Sequence, residues 1–106
     1  MIKKKLYQGF ITNTKTTLLT VEASKQNEIV NINLNNASAG DLIVNIYVYG
    51  DAAANLTYPI TVPAGEFTTI VNPFLPLDAG DIVAAEVTTA STTDISCLIT
   101  GIESDV

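Results

Sequence analysis

Strict alternation of apolar and polar residues is the dominant pattern in this chain of 106 residues. Residues 30–35 are the clearest case, because Val30, Ile32 and Leu34 share one face and the intervening asparagines share the other. Successive side chains of a β-strand point to opposite sides, so this spacing predicts a strand with one buried and one wet face.

Residues 42–49 repeat the alternation, and this second strand places Asn45, Tyr47 and Tyr49 on its outward face. A third strand is predicted at 56–62. It contains Pro59, which lacks an amide hydrogen, so we expect this strand at a sheet edge or at a bulge.

Five further strands bring the predicted total to eight. They are expected at about 5–12, 16–23, 66–72, 81–89 and 94–103. β-branched residues crowd every apolar run and helical spacing is lacking, so any helix should be a single turn near residues 51–55.

Three turns of similar sequence separate the predicted strands: Ala39-Gly40-Asp41, Ala64-Gly65-Glu66 and Ala79-Gly80-Asp81. In each, glycine can supply the positive φ of a tight turn. Eight short strands with frequent turns and no crossover helices predict an all-β, antiparallel two-sheet β-sandwich, either jelly-roll or immunoglobulin-like. We expect residues 1–15 to form an N-terminal arm and residues 16–106 the sandwich domain.

Charge divides the chain unevenly. Residues 1–25 contain all five basic residues and one acidic one, for a net charge of +4, whereas residues 26–106 carry ten acidic residues and a charge of −10. The arm is therefore complementary to an acidic partner surface, including another copy of this chain. We predict that it binds partners through a basic and an apolar set of residues: Lys3, Lys4, Lys5, Leu6, Tyr7, Phe10 and Ile11.

The sequence offers little catalytic chemistry. Histidine, the commonest general base and metal ligand, is absent, and no glycine-rich phosphate loop is present. We expect no enzymatic activity, no cofactor and no metal site, with Asp78 and Asp81 acting as turn residues rather than as Ca²⁺ ligands. Cys97 cannot form a disulfide within the chain and is expected to be a small buried hydrophobe.

The sequence also bears on binding to nucleic acid, membranes and other ligands. An acidic body repels nucleic acid, and no apolar run reaches the ~20 residues needed to cross a bilayer. We therefore expect neither nucleic acid nor a membrane as a partner. Asn45, Tyr47 and Tyr49 together form a possible ligand face, of the kind used for sugars or proteins, or simply pack within the fold.

The chain resembles the small β-sandwich virion proteins of tailed bacteriophages, because several motifs occur in the same order in both. They are the turn Pro63-Ala64-Gly65, the segment Leu77-Asp78-Ala79-Gly80-Asp81-Ile82 and the closing Gly101-Ile102-Glu103, while Asn36-Ala37-Ser38 only approximates the N-x-S-like strand end of that group. In place of the P-A-G-K-like first turn of that group, this chain has Ala23-Ser24-Lys25-Gln26.

The resemblance implies a non-enzymatic, multi-copy virion structural protein, above all a capsid decoration or cement protein. Its partners would be other virion proteins, such as the major capsid or tail protein, and further copies of itself as a homo-oligomer. It would be located in the virion, assembled in the host cytoplasm. The alternative is a carbohydrate- or receptor-binding module of a phage tail or fibre.

Overall fold

The described residues of this computed structural model are 2–89 and 93–106, with the backbone alone described at 72–74. They form eight strands and one short 3₁₀ turn: β1 (Ile2–Ile11), β2 (Thr16–Thr20), β3 (Lys25–Asn36), β4 (Leu42–Val48), η1 (Ala53–Asn55), β5 (Leu56–Val62), β6 (Phe67–Leu77), β7 (Ile82–Val87) and β8 (Ile95–Asp105). The predicted eight strands and the single helical turn are confirmed.

The strands build two four-stranded antiparallel sheets. Sheet A has the order β1-β8-β3-β6 and sheet B the order β2-β7-β4-β5. The pairs β1/β8, β2/β7, β3/β6 and β4/β5 are those of one long hairpin rolled up on itself, which is the jelly-roll arrangement. An immunoglobulin sandwich instead places its first two strands side by side in one sheet.

The core lies between the two sheets and is built from the inward residues of both. Ile32, Leu34, Val44, Val62 and Ile99 are completely buried in it. Removing one such side chain from water contributes about 1.5–3 kcal/mol. The alternation in β3 and β4 therefore predicted the direction of most side chains correctly.

Bulges in sheet A interrupt the regular alternation of inward and outward side chains that the sequence predicted. The pairing of β1 shifts between Lys5 and Tyr7, and that of β3 shifts between Ile29 and Asn31. A bulge inserts an extra residue and re-aims its side chain. Val30 is the extra residue in β3 and is half-buried, so the predicted place of Val30 on the core face is wrong.

The two strands that contain proline both lie at sheet edges. Pro59 lies in β5, at the edge of sheet B, which confirms the prediction made from its missing donor. Strand β6 runs to Leu77, beyond the predicted end at residue 72, although two prolines interrupt its sequence. It is also an edge strand, where an unpaired side tolerates proline.

Candidate interaction surfaces

The predicted N-terminal arm is the edge strand of sheet A in this chain. Residues Ile2–Ile11 pair with β8 along nearly their whole length, so this segment belongs to the sandwich and does not stand apart from it. Met1 lies outside the described residues. Within the described part of the chain, no strand pairs with the other side of β1.

The apolar residues of β1 divide between the chain's own core and the surface. Ile11 is fully buried, and Leu6 and Tyr7 pack half-buried against the core, whereas Phe10 is 53% exposed. Ile11 is therefore not available to a partner, because pairing with β8 turns it inward. Of the four apolar residues predicted to hold a partner, Phe10 is the one whose ring is mostly exposed.

The five lysines also have different roles. Lys4 forms an ion pair with Glu103 at 3.1 Å, and Lys25 forms one with Asp105 at 2.5 Å. The hydrogen bond from Lys25 lowers the pKa of the Asp105 carboxyl. Lys15 donates to the backbone oxygen of Asp51 at 2.8 Å. Lys3 and Lys5 are exposed on β1, and Lys5 donates to the nearby Gln8 side chain at 3.1 Å.

The outer face of sheet A, meaning its side away from sheet B, carries apolar and uncharged polar side chains at one end. One row across the four strands runs Phe10, Ser96, Asn35, Phe67. The next row in the same direction runs Gln8, Leu98, Asn33, Thr69. Phe67 is 68% exposed, which is unusual for so large an apolar side chain.

A shallow groove of about 430 Å³ marks the other end of this outer face. Its lining is formed by β1, the β3 bulge and β8, namely Lys3, Lys4, Lys5, Val30, Thr100, Gly101 and Ile102. By register, Lys3, Ile102 and Glu28 form one row of the outer face. The outer face therefore has an aromatic end and a charged end.

Sequence reasoning missed Phe67, Leu98 and Ile102 as surface candidates. Strand β8 carried the signal, because it is apolar on both faces: Cys97 and Ile99 point into the core while Leu98 and Ile102 point outward. An unbroken apolar run in a strand indicates that packed protein covers both faces of the sheet at that strand. Which strands flank β8 could not be known without the topology.

The proposed ligand face on sheet B is less open than the alternation suggested. Tyr47 does point away from the core, but its side chain is only 6% exposed because Lys15 covers it, with the ammonium 4.3 Å from the ring centre. Its hydroxyl donates to the carboxylate of Glu86, and that hydrogen bond raises the pKa of Tyr47. Tyr49 follows the strand end and is 48% exposed. Asn45, Tyr47 and Tyr49 therefore do not form one continuous accessible patch.

Cys97 and the acidic turns have structural surroundings. Cys97 is a buried free thiol, as predicted, and burial raises its pKa to about 12. Asp81 accepts a hydrogen bond from the Asp78 backbone N–H at 2.8 Å, which is the turn role expected for it. Among the described residues, no group of three or more Asp, Glu or Cys side chains is placed to hold a metal ion.

The chain matches no protein-family model and no curated protein. In the part of the chain that the structure describes, there is no helix with the length and apolar character required to cross a membrane.

Proposed function

We propose that this protein is a non-enzymatic, multi-copy virion structural protein, specifically a capsid decoration or cement protein, that attaches to a neighbouring virion protein through β1. One observation carries the proposal: β1 is an edge strand of sheet A and presents Lys3 and Lys5, both exposed, beside its unpaired side. The virion assignment itself rests on the resemblance of the turn motifs.

Strand addition is the contact that this geometry favours. Alternate backbone N–H and C=O groups of β1 face away from β8, and an extended segment of a neighbour can add to them as a further strand. Lysines on an edge strand repel the same edge of another copy. They therefore select a partner strand that carries acidic side chains.

The energetics assign different roles to these contacts. Exposed ion pairs contribute only about 0.2–1 kcal/mol each, so Lys3 and Lys5 mainly set partner choice and orientation. Backbone hydrogen bonds of the added strand and apolar contacts supply the remaining affinity. Many identical copies on one particle would let modest individual affinities suffice.

The turns support the phage resemblance at the level of backbone geometry. Pro63 to Glu66 and Asp78 to Asp81 are each closed by a hydrogen bond from the last N–H to the first carbonyl, at 3.1 and 2.9 Å. Gly65 and Gly80 have φ of 69° and 88°. Two of the motifs named in the resemblance therefore form tight turns. The absence of histidine from the sequence supports a non-catalytic role.

The experiment is to assemble phage particles with wild-type or variant protein and to measure copies per particle by quantitative mass spectrometry. Lys5→Glu reverses one exposed charge on β1 and should lower the occupancy severalfold while leaving the thermal midpoint unchanged. Thr61→Glu, at an exposed position on the edge strand β5, is the matched control and should retain full occupancy. Wild-type occupancy of the Lys5→Glu variant would contradict attachment through β1.

A further inference from the structure

The outer face of sheet A carries two mostly exposed aromatic side chains at opposite edges of one row. Phe10 on β1 and Phe67 on β6 are 53% and 68% exposed. Three strand spacings separate them, or about 14 Å, so the two rings cannot touch within one chain. Both rings are therefore open to contact with another molecule.

We propose that a second copy of this chain covers this face, forming a two-fold symmetric dimer whose axis runs parallel to the strands. Rotation by 180° about such an axis exchanges the edges of the sheet while keeping its two ends in place. It brings β1 of one copy over β6 of the other. Phe10 then lies over the second copy's Phe67, and Phe67 over its Phe10, so one rotation covers all four rings.

Charge complementarity at the other end of the face supports the same axis. Lys3, Ile102, Glu28 and Pro76 occupy one row, in that order from β1 to β6. The rotation places Lys3 over the second copy's Pro76, one strand away from its Glu28. A lysine side chain spans that separation of about 4.8 Å. Each dimer thus contains two Lys3–Glu28 contacts between the copies.

The area available is sufficient for association but not for a very tight complex. Four strands at about 4.8 Å spacing and some ten residues at about 3.3 Å each give a face of roughly 600 Å². Two copies would bury roughly 1,200 Å² in total, the lower limit of standard stable interfaces. The dimer should therefore form in a concentration-dependent way. Sheet-on-sheet packing of this kind keeps the strands of the two faces within about 30° of parallel.

The direct test is sedimentation equilibrium of the purified protein over a wide concentration range, which needs no particle and so is independent of the attachment through β1. The wild type should approach twice the chain mass of 11.2 kDa at high concentration. Phe67→Ser should weaken dimerisation by about tenfold or more, because the two-fold axis makes one substitution remove an aromatic anchor at two places in the interface. Ile43→Ser, at a 44% exposed apolar position on sheet B, is the matched control and should dimerise like the wild type.

A charge exchange tests the axis itself. Lys3→Glu and Glu28→Lys should each weaken the dimer by about threefold or more, because each puts like charges together. The double variant should dimerise like the wild type, because the pair is restored with its signs reversed. A monomer at every concentration, a dimer insensitive to Phe67→Ser, or additive losses in the double variant would each overturn the proposal.

Discussion

Ser24 holds the backbone conformation that Gly80 holds in a turn of the same geometry. The φ angles of the two residues are 64° and 88°, and each residue is the third of a four-residue turn. In each turn the fourth residue donates a hydrogen bond to the carbonyl of the first: Lys25 N–H to Glu22 C=O at 3.2 Å, and Asp81 N–H to Asp78 C=O at 2.9 Å. The segment Ala23-Ser24-Lys25 thus forms the same kind of turn without glycine. Positive φ costs residues with a side chain roughly 1–2 kcal/mol.

Ser24→Gly should therefore stabilise the protein. Glycine's extra freedom in the unfolded chain costs roughly 0.4–1 kcal/mol. The relief of strain at positive φ is larger than this cost, so the free energy of unfolding should rise by a net amount on the order of 0.5 kcal/mol. The reciprocal change Gly80→Ser should destabilise. Urea unfolding monitored by circular dichroism measures both, and an unchanged or lower midpoint for Ser24→Gly would contradict this interpretation of the turn.

Gly101 is required by the close approach of its neighbours in sheet A. A Cβ at this position would lie 2.3 Å from the backbone oxygen of Glu28 and 2.7 Å from Leu6 Cδ1. Because a backbone oxygen cannot move aside cheaply, Gly101→Ala should destabilise the fold by about 1–3 kcal/mol or more.

Gly40→Ala provides the control for that prediction, because nothing lies within 4 Å of a Cβ at Gly40 and its φ is not positive. Its free energy of unfolding, measured in urea, should stay within about 0.5 kcal/mol of the wild type. Equal effects of the two alanines would show that the contact with Glu28 does not constrain Gly101.

The hydrogen bond between Tyr47 and Glu86 should be visible in a titration. The bond keeps the phenol protonated and raises the pKa of Tyr47 above 10.0. Glu86→Gln should lower that pKa towards the ordinary value, followed by NMR of a ring-labelled Tyr47. Glu66→Gln, at an exposed site in a turn, should leave it unchanged. If Glu86→Gln also leaves the pKa of Tyr47 unchanged, the hydrogen bond to Glu86 does not determine that pKa.

Cys97 should be chemically inert in the folded protein. Burial raises the pKa of its thiol to about 12, so at pH 8 hardly any thiolate exists and a disulfide reagent should react at least about a hundredfold more slowly than with the unfolded chain. The thiol of the unfolded chain has a pKa of 9.0 and loses its proton first, so folding stability falls as the pH rises from 9.0 towards about 12. Rapid, stoichiometric labelling of the native protein would contradict this burial.

The sequence predicted those features that depend on local pattern. Alternation in β3 assigned Ile32 and Leu34 to the core, and the missing amide hydrogen of Pro59 placed β5 at an edge. Gly65 and Gly80 adopt the expected positive φ, whereas Gly40 does not. There the buried Asn36 organises the loop instead, donating to the backbone oxygens of Gly40 and Val62 at 2.9 Å each.

Features that depend on contacts distant in sequence could not be predicted. The burial of Tyr47 comes from Lys15, which is 32 positions earlier in the chain. The shared row of Phe10 and Phe67 exists only because β8 and β3 lie between their strands. The basic cluster of β1 was evident from composition, but its place at the edge of sheet A follows from pairing with the last strand.

The most direct test of attachment through β1 is amide hydrogen exchange measured on the free protein and on protein bound to intact particles. In the free protein, alternate amides of β1 face solvent and should exchange quickly, while their neighbours bonded to β8 are protected. On the particle, attachment through β1 predicts strong new protection of those solvent-facing amides, with little change in the edge strand β5. Equal exchange of the β1 amides in the two states would contradict it.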